Sequence, residues 1–327
     1  MRSGVFTFVR HSAIVALGAL LATASAWSQS YPIKQILVIV PASVGTVGDS
    51  IARLISLHMS KSLGQIMVVE NLPSASGVPG TDKLVKSPKD GYTLAVASNN
   101  HAINPGIFKN MPFDSVKDIA PIAVVGSTPL VLVANPALNV KTTRDLIALA
   151  KSRPGALNYA STGNGSVLQL AGVLFNSEAG VDIKHIPYLA FGQMLTDIMG
   201  ERVDIGFSGV APVVGHIKAG KLVAIGVSTK VRSNLMLDVP TLAESGLPNY
   251  QFDGWLALVA PAGTPKPVID RLNAEVNKAL AQKEVQETLA TLGVISVGGT
   301  SESAARFFES EIAKHLKMLK QAGVEPQ

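Results

Sequence analysis

The chain reads as an α/β protein of two domains, with mainly parallel sheets and helices on both faces. Three observations predict this. Apolar runs of strand length alternate with patterns of period near 3.6 almost from end to end. About 300 residues remain after an export-like N-terminal stretch, which suits two hydrophobic cores better than one. Loops rich in Ser, Thr, Asn and Gly follow strand after strand, and a parallel open sheet gathers such loops along one ligand-binding edge.

Residues 1–26 carry Arg2 and Arg10, an apolar stretch over 12–23 and the small-residue site Ala24-Ser-Ala26. This is the layout of a secretory signal cleaved after Ala26. The apolar stretch is short for a bilayer span, and polar sequence follows it directly. The chain has no cysteine, so disulfides, thiol nucleophiles, cysteine-held metals and a lipid-modified cysteine anchor are all excluded. A free periplasmic protein is the expectation. The formal charge of +5 falls to +3 without Arg2 and Arg10, and the remaining Lys and Arg are scattered. Nucleic acid is therefore not an expected partner.

The first strand is expected over 36–40. Pro41-Ala-Ser-Val-Gly-Thr-Val-Gly-Asp49 then leads into a helix with Ile51, Leu54, Ile55 and Met59 on its apolar face. A strand–loop–helix presents unpaired backbone N–H groups at the positive end of a helix dipole, which is an anion site. Ser43-x-Gly45-x-x-Gly48 is one residue from G-x-G-x-x-G, and Glu70 ends the next apolar run (66–70) near the spacing of an acidic ribose ligand. A dinucleotide pyrophosphate in an NAD-type Rossmann enzyme is thus one reading, although Pro41 and Ser43 stand where its tight turn needs glycine. The carboxylate of a small solute is the second, and a turn that only packs helix on sheet is the third.

Further strands are expected over 93–97, 130–134, 158–160, 183–187, 203–207, 222–228 and 256–260, with helices over 143–151, 167–178, 194–199 and 213–218. Ser87-Pro-Lys-Asp-Gly91 and Arg153-Pro-Gly155 supply turns between them. Thr264-Pro265 opens a helix with Val268, Ile269, Leu272, Val276 and Leu280 on one face, and a last amphipathic helix begins near Ser301. Two long irregular passages, 104–118 and 238–252, each precede an apolar strand and read as approaches to two interdomain crossings. Domain 1 would then comprise 31–128 plus 252–327, with domain 2 (129–251) inserted into it.

Enzyme signatures are missing: the sequence contains no G-x-S-x-G, H-E-x-x-H or G-x-x-x-x-G-K-[ST]. His58, His101, His185, His216 and His315 form no i, i+4 pair, so neither a metal nor a cofactor is expected. His58 and His315 fall on helices and read as surface or boundary residues. Trp255 reads as packing at a domain crossing. The polar loops are Ser98-Asn-Asn-His101, Ser161-Thr-Gly-Asn-Gly-Ser166, Tyr188 to Gly192, and Ser208-Gly209. The loop at 161–166 also opens a helix, giving a second anion site that faces the first and would suit a molecule with two carboxylates.

Segments spread along the chain carry a resemblance. They include Val68-Val-Glu-Asn71, Pro88-Lys-Asp-Gly-Tyr-Thr-Leu94, His101-Ala-Ile-Asn-Pro105, Phe113-Asp-Ser-Val-Lys-Asp118 and Asn158-Tyr-Ala-Ser-Thr-Gly-Asn-Gly165. Further on come His216-Ile-Lys-Ala-Gly-Lys221, Asp238-Val-Pro-Thr241 and Ala260-Pro-Ala-Gly-Thr-Pro265. The chain resembles the Bug (TctC) family, the extracytoplasmic solute-binding proteins of tripartite tricarboxylate transporters. The resemblance implies a type II periplasmic-binding-protein (Venus flytrap) fold that closes on a small organic acid anion, without chemistry. It also implies docking on a large and a small membrane subunit, with a monomer expected. A periplasmic sensor serving a two-component system is the alternative in the same compartment.

The ligand-binding candidates are Ser43, Val44, Gly45, Thr46, Asp49, Ser98, Asn99, His101, Ser161, Thr162, Gly163, Ser166, Tyr188, Phe191 and Ser208. This chain has Thr46 where the family has a second glycine, Leu189-Ala190-Phe191 where Lys-Gly is frequent, and Ser208 where many relatives carry aspartate. Those departures point to an apolar cleft and an aromatic or otherwise hydrophobic mono- or dicarboxylate, an aromatic dicarboxylate such as a phthalate isomer among them, rather than citrate or an amino acid.

Overall fold

A computed structural model describes residues 31–42, 44–72, 77–188 and 190–326. The expected signal at 1–26, the candidate Ser43, and Leu189 of the 189–191 departure lie outside the described residues. β1 (Ile36–Val40) pairs in parallel with β2 (Met67–Asn71) and with β3 (Thr93–Ser98). β5 (Asn158–Ser161) pairs in parallel with β6 (Lys184–Pro187) and with β7 (Ile205–Gly209). These two parallel sets are joined by β4 (Ile119–Ala134) and β9 (Asp253–Pro261), giving the order β2-β1-β3-β9-β4-β7-β5-β6.

The mainly parallel expectation holds within each set and stops at β4 and β9. Both run antiparallel to every strand they touch, as do β8 (Val223–Val227) and β10 (Ile295–Gly298), which also pair with β4. The reason is the path of the chain. It leaves the first set along β4 and returns along β9, and the outgoing and returning legs of one excursion lie side by side in opposite directions. β4 is bonded to β9 and β10 over its first part and to β7 and β8 over its last residues, 130–134. The sheet therefore has two leaves hinged on one strand. The first contains β1, β2, β3, β9 and β10, and the second contains β5, β6, β7 and β8. The sequence placed only the second-leaf part of β4, 130–134, as a strand, because Pro121 and Pro129 interrupt its apolar run.

Helices flank both leaves. α1 (Val47–Leu63) is capped by Thr46 and ended by left-handed Gly64. α2 (Val78–Val85) and α3 (Asn99–Ile103) complete the first crossings. α4 (Thr143–Ser152) starts with a capping box between Thr142 and Asp145. α5 (Val167–Ala179), α6 (Phe191–Met199) and α7 (Val210–Lys218) serve the second leaf. α8 (Lys266–Leu280), α9 (Lys283–Thr291) and α10 (Ser301–Gln321) follow the return to the first. Among the described residues no helix is long and apolar enough to cross a membrane.

α10 packs on both leaves. Ala304, Phe308 and Ile312 join the core around Ile39 and Trp255, while Met318 and Leu319 join the core around Leu130, Phe207 and Phe252. This corrects the reading of two histidines. His315 is fully buried against Phe252 (ring centroids 5.6 Å apart), and its Nδ1 donates to the Glu311 carbonyl at 2.7 Å. His58 is buried as well, 2.6 Å from the Gln282 amide oxygen. Their helices were legible, but the buried face depended on a second helix or leaf lying across it.

Gly126 of β4 lies opposite Ser296 of β10. A methyl group there would sit 2.5 Å from Val294 Cγ1 and 3.0 Å from the Ile295 carbonyl oxygen. Gly126→Ala should lower stability by about 1–3 kcal/mol through overpacking. The check is a lower urea midpoint with an unchanged slope; an unchanged midpoint would remove the close-packing argument.

Candidate functional site

The site begins where β1 ends. The Asp49 N–H donates to Thr46 Oγ1 at 3.3 Å, and Asp49 Oδ2 accepts from the Gly45 N–H at 3.0 Å. Gly45 has φ 82°, a conformation that suits glycine. Asp49 Oδ1 takes the Asn71 amide at 3.0 Å and the Arg53 guanidinium at 2.9 Å, and Asn71 also donates to the Ala42 carbonyl at 3.2 Å. The Gly45 bond first, then Arg53 and Asn71, hold the Asp49 carboxyl below its usual range. Asp49 is thus buried and committed to bracing the loop. Glu70, the would-be ribose ligand, lies 2.8 Å from Lys83 Nζ.

A cavity of about 370 Å³ opens beside this loop, between the two leaves. The first leaf contributes Thr46, Val47 and Gly48 from the start of α1, Ser98, Asn99 and Asn100 around the start of α3, and Gly254, Trp255 and Leu256 from β9. Leu292 and Gly293 close one edge, and Thr128, Pro129 and Leu130 of β4 form the crossing. From the second leaf come Val167, at the start of α5, and Gly209, Val210, Ala211 and Pro212, at the start of α7. First-turn residues of α1, α5 and α7 therefore meet at one cavity, and among the described residues no ionisable side chain lines it. That arrangement favours an anion held by backbone N–H groups and neutral hydroxyls or amides.

Asn99 ties the wall together. Its amide nitrogen donates to the Asp253 carbonyl at 3.0 Å, and its oxygen accepts from the Trp255 N–H at 2.8 Å. Beside it, Ser127 Oγ donates to Asp253 Oδ2 at 3.2 Å, and burial pushes the Asp253 carboxyl up to about 6. The Trp255 indole turns away to Glu311 Oε2 at 3.0 Å and packs on Phe307 and Phe308.

The candidates from sequence divide sharply. Thr46, Ser98 and Asn99 line the cavity. Thr162 and Ser166 line a neighbouring opening, which shares Asn100 and Val167 with it. Gly45 and Asp49 build the loop, and Val44 stands exposed on it. His101 is buried, its Nε2 donating to the Ser115 carbonyl at 2.7 Å and its ring stacked on Phe113. Ser208 is fully buried, its Oγ donating to the Gly209 carbonyl at 2.9 Å. The Tyr188 hydroxyl donates to Asp197 Oδ2 at 2.9 Å, and Phe191 packs beside Tyr188 against the second-leaf core.

Ser161 and Gly163 belong to an internal relay. The Gln169 amide oxygen accepts from the Gly165 N–H, and its nitrogen lies 3.2 Å from His185 Nδ1. An amide nitrogen only donates, so Nδ1 accepts and Nε2 carries the proton. That proton goes to Ser161 Oγ at 2.6 Å, and the serine donates on to the Gly163 carbonyl at 3.1 Å. The chain of bonds fixes the loop that opens α5.

Sequence reasoning missed Asn100, Thr128, Val210, Pro212 and Leu292 as lining residues. For Val210 to Pro212 the cause is specific. The helix was placed from 213, three residues late, so its first turn was read as loop. Thr128 lay in an unassigned approach to a strand.

The tripartite tricarboxylate transporter family receptor model (TctC) matches residues 51–324. Protein BugT of Bordetella pertussis is 34% identical over 318 residues, 95% of this chain and 98% of that one. A solved structure described as a periplasmic transporter is 34% identical, with a TM-score of 0.75, covering 90% of this chain and 99% of its own. R. palustris Rpa4515, solved with adipate, is 30% identical at TM-score 0.76, covering 91% and 100%. MatC of Rhodopseudomonas palustris, with bound malate, is 30% identical at 0.71, covering 88% and 100%.

Asp49→Ala should cost about 1–3 kcal/mol, because it strands the Gly45 N–H and the Asn71 amide. A denaturant midpoint equal to that of the parent would show the loop does not need the carboxylate. Burial holds His101, His185 and His315 below the ordinary imidazole value, so folding disfavours protonation of each. The unfolded chain takes up their protons first as pH falls below about 6.5. Their contribution to stability is therefore complete above that pH and is lost below it. Asp253 works the other way, and three imidazoles outnumber it. The melting temperature should fall between pH 7.5 and pH 5.5; a rise over that interval would refute the assignment.

Proposed function

The chain belongs to the tripartite tricarboxylate transporter receptor (TctC) family, whose members bind solutes without chemical turnover, and we propose that it captures a small organic carboxylate in the cavity between its leaves. The observation that carries this reading is the meeting of three helix starts at a cavity that, among the described residues, no charged side chain lines. A carboxylate there is neutralised by helix-end N–H groups and by neutral polar side chains such as Thr46 and Ser98. Solved relatives carry adipate and malate, which are carboxylates. The apolar lining, with Pro129, Leu130, Leu256 and Leu292, favours a hydrophobic or aromatic body over citrate or an amino acid. In this proposal the protein works in the periplasm as a monomer, in two domains with 129–251 inserted, and hands its cargo to the large and small membrane subunits.

Thermal-shift screening of the purified protein against an acid library tests this directly. A carboxylate at a hundred times its dissociation constant adds about 2.7 kcal/mol to stability. Stabilisation by apolar-bodied acids is the expected result. Stabilisation by citrate or glutamate alone would overturn the apolar reading, and no stabilisation by any carboxylate would overturn the site. Loss of labelled-acid uptake on gene deletion would establish the transport role.

A further inference from the structure

We infer that the ligand carries a single carboxylate, held against the first leaf, and that the rest of it is apolar and lies on the second leaf. The inference rests on the carboxylate reading of the cavity and narrows it. Its basis is an asymmetry between the two walls. Among the described residues, those with polar side chains at the cavity come from the first leaf or the crossing: Thr46, Ser98, Asn99, Asn100 and Thr128, with the Asn99 amide already bonded to β9. The described second-leaf wall is Val167, Gly209, Val210, Ala211 and Pro212, which carry no hydroxyl, side-chain amide or charge.

The second leaf has polar groups close by, and they are turned inward. Ser208 is fully buried on the Gly209 carbonyl, Ser161 is tied to His185 and Gly163, and the Tyr188 hydroxyl is held by Asp197. Backbone donors are reduced as well. Pro212 is the third residue of α7, within the turn whose N–H groups have no partner inside the helix. Its ring replaces a donor with apolar surface. A second carboxylate on this wall would meet first-turn N–H groups of Val167, Val210 and Ala211, but among the described lining residues no second-leaf side chain completes its hydrogen bonding. Desolvating an ionised group under those terms is unfavourable, whereas an aryl or branched alkyl body gains by contact with Val167, Val210 and Pro212.

The remaining place for a distal charge is the neighbouring opening, where Thr162, Asn164 and Ser166 of the second leaf are found. It meets the cavity only at Asn100 and Val167. A length-matched test therefore includes an extended diacid.

Calorimetric titration of the purified protein with two matched pairs decides the question: hexanoate against adipate, and 4-methylbenzoate against terephthalate. The monocarboxylate of each pair should bind at least tenfold more tightly. Pro212→Ala, which restores an N–H to the first turn of α7, should narrow that gap by strengthening diacid binding. Val210→Thr adds a hydroxyl to the same wall and should act in the same direction. A diacid that matches or exceeds its monoacid in the parent protein overturns the inference and leaves the carboxylate site standing. Binding of no acid from either pair, at millimolar concentration, overturns the carboxylate reading and the inference with it.

Discussion

β4 has to satisfy two sheets at once, and the remaining architecture follows from how it does so. Its first part is bonded to β9 and β10 and its last residues to β7 and β8, so one continuous backbone belongs to both leaves. Where the partners change, Thr128, Pro129 and Leu130 are left at the cavity. Pro129 has no N–H to leave unpaired at that change-over. The returning strand is pinned at the same level: Asn99 bonds to the Asp253 carbonyl and the Trp255 N–H, and Ser228 exchanges backbone and side-chain bonds with Leu130. α10 spans the same junction from outside, with its two ends in different cores.

The proposed capture of an anion without a cation would place particular demands on the backbone. Unpaired N–H groups must be aimed at one place and kept there, because a loop that relaxes away takes the binding site with it. The bracing groups are consequently polar, buried and turned away from the cavity. Asp49 serves the α1 loop, and the Gly165–Gln169–His185–Ser161 relay serves the α5 loop. Both use side chains that would themselves have made plausible ligand contacts. A low-dielectric setting strengthens such bonds and makes an unmatched partner expensive, which explains why each network is closed on itself.

These networks also explain why more residues have the sequence signature of a ligand contact than reach the cavity. Serine, asparagine and histidine after a strand end are needed both to contact a ligand and to fasten a loop, and the two uses share one sequence signature. Thr46 and Ser98 line the cavity, while Asn99, Ser161, Ser208 and His101 have the same local pattern and are spent on internal bonds. The residues that were missed are mostly apolar or glycine, such as Val210, Pro212 and Leu292, and have no chemical signature at all.

The sequence by itself determined the α/β alternation and the positions of seven of the ten described strands within two residues. β4 and β9 start earlier than expected, β10 was not expected, and the helix after Thr264-Pro265 is entered at Pro265 without a threonine cap. The legible features are local: period and propensity act over a few residues, so they can be read from a few residues. It also excluded thiol chemistry, and its long-range pattern carried the family. Only the tertiary structure decided that β4 and β9 run antiparallel to their neighbours, that His58 and His315 are buried, and which hydroxyls reach the cavity. Each of these depends on what lies across a face or beside a strand, and that partner is distant in sequence.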